Sequence, residues 1–166
     1  MIRHKTGRVP TVFRAAGCFC LHRGQVLIME RQAGKPYGLH WGVPTGKIEQ
    51  GETPREAMLR ELNEEIGLLA RPEKLVQLAT YVVEDRGSAF EYVSFVLELS
   101  SEPQLRLHSA EVRQALWMSI KSGDERPFVP FFYNTMRDLL EWINTGAVQL
   151  RPAAEAQSTS IDTLPQ

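Results

Sequence analysis

Cysteine is scarce. The 166-residue chain has two, Cys18 and Cys20, too few for a disulfide framework. They sit two apart in an apolar run, so a strand would point both to one face. They read as small buried thiols of a reducing compartment, which places the chain in the cytoplasm. Charge of one sign is also missing. Nineteen Lys and Arg face twenty Asp and Glu, for a formal net charge of -1. A wholesale basic surface for coating nucleic acid is thereby excluded. No apolar run approaches the ~18 residues a membrane helix needs. The N-terminal MIRHKTGRVP lacks the apolar core of a signal peptide. What remains is a globular composition, 43% hydrophobic and 23% charged, long enough for one core.

Acidic residues are absent before Glu30, whereas Arg3, Lys5, Arg8, Arg14 and Arg23 are all basic. Residues 1–11 read as a solvated basic arm, with attraction of a phosphate-rich substrate as the other reading. The segment lacks the Ser of a transit peptide and soon turns strand-like. Residues 12–145 read as the domain. Residues 146–166 have no aromatic and little apolar bulk, and are expected to form a mobile tail.

Within the domain, Val12 to Leu21 reads as a strand covered on both faces, and Gln25 to Arg31 as its returning partner. Residues 32–40 hold two Gly and a Pro and are expected to loop. A short strand is expected near Trp41 to Pro44. Residues 53–66 read as a helix. Thr53 suits the N-cap, Pro54 the first turn, Glu56 completes a capping box, and Gly67 suits the end. Strands are expected near 75–84 and 90–99, joined at 85–88, with a further short one at Trp117-Met118. Phe132, Met136, Leu139, Leu140 and Ile143 make a helical stripe. This order predicts α/β (α+β) architecture, a mixed β-sheet flanked by helices.

The informative segment is Gly46 to Leu68, GKIEQGETPREAMLRELNEEIGL, with six acidic and three basic residues. At about 100° per residue, Glu61, Glu64 and Glu65 fall within an arc of about 100°. Leu59, Leu62 and Ile66 lie on another arc and are expected to face the core. Three crowded carboxylates repel one another. They form either a solvated acidic face or a site for hard divalent cations such as Mg²⁺ or Mn²⁺. No His or Cys lies in the segment, so zinc is disfavoured. Arg60 can pair with Glu56 or Glu64 four residues away, either as a surface ion pair or to fix a ligand's orientation.

These residues resemble the signature of the Nudix hydrolases, G-x5-E-x7-R-E-U-x-E-E-x-G-U with U aliphatic. Gly46, Glu52, Arg60-Glu61-Leu62, Glu64-Glu65 and Gly67-Leu68 fill every specified position. Seven specified polar or Gly positions, at frequencies near ~0.06 each, match by chance about once in 10⁸ to 10⁹ placements. The resemblance implies an α/β/α sandwich over roughly 12–145. It implies Mg²⁺-dependent cleavage, with Mn²⁺ as substitute, of a nucleoside diphosphate linked to a further group X. By that similarity Glu61, Glu64, Glu65 and Arg60 are the catalytic residues. The carbonyl of Gly46 and the carboxylates of Glu61, Glu64 and Glu65 are metal ligands, and Glu52 supports the helix start. Family members often add a later acidic ligand. Glu111 is the candidate, ahead of Glu84 and Asp85. Glu61 is the first choice to accept the proton of the attacking water. Lys47 is either a holder of the leaving phosphate or a solvated loop lysine.

The group X is expected to be read outside this segment. Phe13, Tyr37, Trp41, Tyr81, Tyr92 and Phe95 are each either core or a base-stacking ring. His40 and His108 read as structural or solvated. Thr45 stands where many members have Gly, a departure that weighs against a close comparison with any particular nucleotide-sanitising member. The expected partner is a small-molecule nucleotide, most simply a nucleoside triphosphate, with no nucleic acid and no membrane; a homodimer is compatible with the sequence. The competing readings are a nucleotide-sensing regulator with the same fold and an RNA-binding module. The intact Glu61, Glu64 and Glu65 set argues against the first, and the near-neutral charge against the second.

Overall fold

The protein is described by a computed structural model, which covers residues 1–5, 11–85, 87–121 and 124–145. The expected mobile tail, 146–166, lies outside the described residues. The elements run β1(Ile2–His4), β2(Arg14–His22), β3(Gln25–Arg31), β4(Trp41–Gly42), β5(Thr45–Lys47), α1(Pro54–Ile66), β6(Leu75–Asp85), β7(Ser88–Glu98), β8(Val112–Ser119) and α2(Phe132–Asn144). The eight strands form one mixed sheet, ordered β1-β6-β7-β2-β3-β4, with β5 against β2 and β8 against β3. Strands β2 and β7 run parallel and the other pairs antiparallel. Among the described residues no helix is long and apolar enough to cross a membrane.

Period-two alternation along β2 feeds two cores. Ala16, Cys18 and Cys20 point to one face, where Met58, Leu62 and Ile66 of α1 cover them. Phe19 and Leu21 point to the other, where Phe132, Met136 and Leu139 of α2 cover them. Both cysteines are therefore buried, unpaired and on one side. Burial pushes the Cys18 thiol well above its ordinary range, which leaves it inert.

Strands β2 and β3 pair only at Leu21–Val26 and His22–Gln25. Beyond that hairpin they part. The freed edge of β2 takes β5, with Ala16 opposite Gly46, and the freed edge of β3 takes β4. The expected single strand at 41–44 is thus two. Pro44 has no N–H to donate to a ladder, and its carbonyl accepts from Cys18 N–H at 3.0 Å. The segment around Trp117 is longer than expected and pairs with β3 along most of its length. The basic arm is not wholly solvated. Ile2–His4 adds an edge strand to β6, and His4 Nε2 lies 2.9 Å from the Asp138 carboxylate of α2.

Helix α1 has the expected ends. The Thr53 side chain accepts from Glu56 N–H, and Glu56 accepts from Thr53 N–H. Gly67 closes the helix at φ 70°, where glycine alone escapes a Cβ penalty. Its rotation differs from expectation. Buried residues are Ala57, Met58, Glu61, Leu62, Glu65 and Ile66, while Leu59 is only half-buried. At about 100° per residue this arc is centred roughly 80° from the Leu59–Leu62–Ile66 stripe. Glu61 and Glu65 therefore share the inner face, and of the three crowded carboxylates Glu64 is the one open to solvent.

Leu62 is fully buried on this face. Leu62→Ala is expected to lose about 2–5 kcal/mol of stability through lost burial and a cavity. Thermal melting checks it; an unchanged melting temperature would contradict the helix orientation.

Candidate active site

The parting of β2 and β3 opens a cavity of about 1020 Å³. Gly46, Lys47, Arg60, Glu61, Glu64, Glu65 and Glu111 all line it, so the candidate catalytic residues, metal ligands and phosphate-binding lysine meet in one place. Each arrives for a local reason. Helix α1 brings its carboxylates against the β5 backbone. A Cβ on Gly46 would stand 1.8 Å from the Glu61 carboxyl carbon, so the glycine is what lets that carboxyl approach. Glu111 arrives through the helix terminus. The N–H groups of Arg106 and His108 donate to the carbonyls of Ile66 and Glu65 at 2.9 Å each. Those carbonyls have no partner within the helix, and satisfying them draws segment 106–111 over the cavity.

Arg60 is the hub. It donates to Glu52 at 2.8 and 3.0 Å, to Glu61 at 2.8 Å, to Glu64 at 3.1 Å and to the Lys47 carbonyl at 3.0 Å. Its partner is Glu52, eight residues away, rather than Glu56, which is occupied by the cap. The guanidinium holds Glu52 down at about 2, helped by the Glu49 N–H, and the carboxylates in turn raise the Arg60 pKa.

The inner carboxylates experience the opposite. Burial pushes Glu65 up to about 8, against the pull of the Thr45 N–H, which donates to it at 3.0 Å. Glu61 and Glu111 add repulsion, and Arg31 opposes it. Burial also raises Glu61, with Arg60 opposing and Glu64 and Glu111 adding to the rise. This is a set of hard oxygen donors with more negative charge than one guanidinium offsets, the chemistry that suits a divalent cation such as Mg²⁺. Among the described residues no three His, Cys, Asp or Glu side chains form a ready metal cluster; Glu61 and Glu64 are both turned onto Arg60.

The other candidates divide. Phe13, Tyr37, Tyr92, Asp85 and His108 line the cavity. Trp41, Tyr81 and Phe95 are core residues, and His40 and Glu84 are not among the lining residues. The Lys47 ammonium stands 5.2 Å over the Phe13 ring, and Lys35 pairs with Glu111 at 3.0 Å. Sequence reasoning missed Arg31, Lys35, Phe90 and Phe131, which also line the cavity. They lie on a strand end, in a loop, on β7 and just before α2, and no local spacing links them.

The NUDIX domain model matches residues 11–142. An 8-oxo-dGTP diphosphatase of Haemophilus influenzae is 30% identical over 116 residues, 70% of this chain and 82% of that protein. An RNA pyrophosphohydrolase of Vibrio atlanticus is 47% identical over 58 residues, 34% of this chain; the chain spans only 31% of that relative's length. The crystal structure of a MutT NUDIX hydrolase from Burkholderia pseudomallei superposes with a TM-score of 0.68 at 18% identity, covering 76% of this chain and 97% of that one. The chain belongs to the Nudix hydrolase family.

The burial of Glu65 is expected to make the stability of the metal-free protein pH-dependent. Its folded pKa is raised from 4.5 to about 8, so the folded state holds the proton more tightly. The stability from that proton is complete below about 4.5 and is lost as pH rises toward about 8. In excess chelator, Glu65→Gln is expected to flatten this decline, and to be the more stable protein at pH 8. Melting temperatures from pH 5 to 9 check it; parallel curves for the two proteins would refute the assignment.

Proposed function

We propose that the chain hydrolyses the pyrophosphate linkage of a small nucleotide, most simply a nucleoside triphosphate, in a Mg²⁺-dependent reaction in the cytoplasm. One observation carries the reading. Glu61, Glu64, Glu65 and Glu111 share a single cavity with the cationic side chains of Arg31, Lys35 and Lys47. An acidic cluster alone would repel a polyphosphate. Acidic and basic groups together can hold a cation and a polyanion side by side. The name of the Haemophilus relative supports a nucleotide substrate.

In this reading Glu61, Glu64, Glu65, the Gly46 carbonyl and Glu111 hold the ion. A bound divalent ion would neutralise phosphate oxygens and make hydroxide available near neutral pH. The protein's own groups do the rest. Arg60 fixes the orientation of Glu61 and Glu64 and keeps their charge tolerable. A Glu61 carboxylate oxygen accepts the proton of the attacking water. Lys47, exposed at the mouth of the cavity, meets the phosphates. The walls of the cavity limit the water around the reacting groups, so each charge there acts more strongly than in bulk solvent.

A panel of nucleoside triphosphates, scored for phosphate and pyrophosphate release, tests the activity. Turnover is expected with Mg²⁺ or Mn²⁺ and none in excess EDTA. Full turnover in EDTA would overturn the metal-dependent mechanism.

Gly46→Ala tests the geometry. The new Cβ would collide with the Glu61 carboxyl, which can swing aside because it ends a flexible side chain. Turnover is expected to fall on the order of 10²-fold, the scale of a misplaced catalytic group, with a small change in melting temperature. Unaltered turnover would mean that the position of Glu61 does not matter.

A further inference from the structure

Tyr92 is buried in β7, and its hydroxyl reaches across the sheet. Tyr92 lies opposite Ala15 of β2. On the other edge of β2, Thr45 of β5 lies opposite Gly17. The Tyr92 side chain crosses β2 at that glycine. A Cβ at Gly17 would collide with the Tyr92 hydroxyl and stand 2.8 Å from Thr45 Oγ1. Both oxygens therefore converge on the space the glycine leaves open, and the Tyr92 hydroxyl is a hydrogen-bond partner of the Thr45 side chain.

The protons run one way. Thr45 has a single hydroxyl proton, which it donates to the Val43 carbonyl at 2.9 Å. Toward Tyr92 it can then only accept. The backbone N–H of the same threonine donates to Glu65 Oε2 at 3.0 Å. Glu65 is 3% exposed, and a hydrogen bond to a carboxylate shielded from water is a strong constraint on its orientation. Thr45 thus stands between a buried hydroxyl and a buried carboxylate.

Core packing does not require this arrangement. A phenylalanine at position 92 would fill the same space with no hydroxyl to desolvate. Gly17 is buried within β2, where glycine weakens a strand and marks the close approach of another group. The Tyr92 ring is also held, by Tyr81 at 6.3 Å and Phe131 at 5.4 Å between centroids. Its hydroxyl is therefore a fixed point against which Thr45 can be set.

We propose that Tyr92 and Thr45 are positioning residues for Glu65: the Tyr92 hydroxyl braces Thr45, and the braced Thr45 N–H sets the carboxylate for a divalent cation. This rests on the reading of Glu65 as a metal ligand given above and names what fixes that ligand. Neither side chain is asked to touch the reacting atoms.

The test is Mn²⁺ binding to the substrate-free protein, followed by the paramagnetic resonance of the free ion. Tyr92→Phe removes one hydroxyl and keeps the ring. Thr45→Val removes the other and keeps the β-branched shape. Each is expected to weaken Mn²⁺ about tenfold, the scale of losing a group that orients a metal ligand. Each should also lower kcat while the nucleotide KM stays within about threefold. Thr45→Ser keeps the hydroxyl and is expected to hold Mn²⁺ within about threefold of the unaltered protein. Tyr92→Phe combined with Thr45→Val should weaken Mn²⁺ no more than Thr45→Val alone, because one acts through the other. In a Glu65→Gln background neither change should weaken the remaining binding further. If Tyr92→Phe does not fold, Thr45→Val against Thr45→Ser decides.

The brace is refuted if folded Tyr92→Phe or Thr45→Val binds Mn²⁺ as the unaltered protein does, even with a lowered melting temperature. It is equally refuted if either still weakens Mn²⁺ once Glu65 is gone. Unchanged Mn²⁺ affinity in Glu65→Gln alone would overturn the ligand reading itself. Loss in Glu65→Gln without loss in the two hydroxyl variants would overturn the brace and leave that reading standing.

Discussion

Two carboxylates, Glu61 and Glu65, are buried on the inner face of α1, and the arrangement of the cavity follows from making that burial tolerable. A buried carboxylate needs hydrogen bonds, a counter-charge or a proton. Glu61 has the Arg60 guanidinium. Glu65 has the Thr45 N–H and a strongly raised pKa. The same demand fixes residue 46 as glycine, because any side chain there would occupy the space of the Glu61 carboxyl. It also accounts for Glu52, whose carboxylate accepts from Arg60 and from the Glu49 N–H. The segment therefore behaves as one electrostatic unit, in which removing a partner leaves another charge uncompensated.

That unit has a place to act because the sheet divides. Strands β2 and β3 stay together for two residue pairs and then take different neighbours. The gap carries β5 and exposes its backbone to α1. It also leaves the starts of β2 and β7 facing a cavity instead of a closed core: Phe13, just before β2, and Phe90, early in β7, are half-covered, while Phe19 and Val96 further along are buried. One topological feature thus brings charged and aromatic side chains to the lining of one space.

Segment 106–111 shows how a helix terminus organises residues distant in sequence. Gly67 and Leu68 satisfy the Asn63 and Leu62 carbonyls, and Arg106 and His108 satisfy those of Ile66 and Glu65. The backbone is drawn in for its own hydrogen bonds, and the Glu111 carboxylate comes with it. Lys35 then ties Glu111 to the loop after β3. A further acidic group thus reaches the cavity from outside the helix segment, with no sequence spacing to announce it.

The sequence alone determined α1, its caps, the two-faced burial of β2, the mixed sheet with flanking helices, and the crowding of Glu61, Glu64 and Glu65. Each of these rests on short-range chemistry: 100° per residue, period-two alternation, a capping box, a left-handed glycine. Tertiary structure alone decided which way α1 turns. Periodicity counts apolar residues and sends every carboxylate to solvent, whereas Arg60, Thr45 and Gly46 offset the burial of two of them and shift the inner face by roughly 80°. It also decided that Ile2–His4 is a strand, since three residues gain their hydrogen bonds only from the edge of β6. And it decided the company of Phe13, Phe90 and Phe131. They come from three separate parts of the chain, and what unites them is the opening between β2 and β3, which no local pattern encodes.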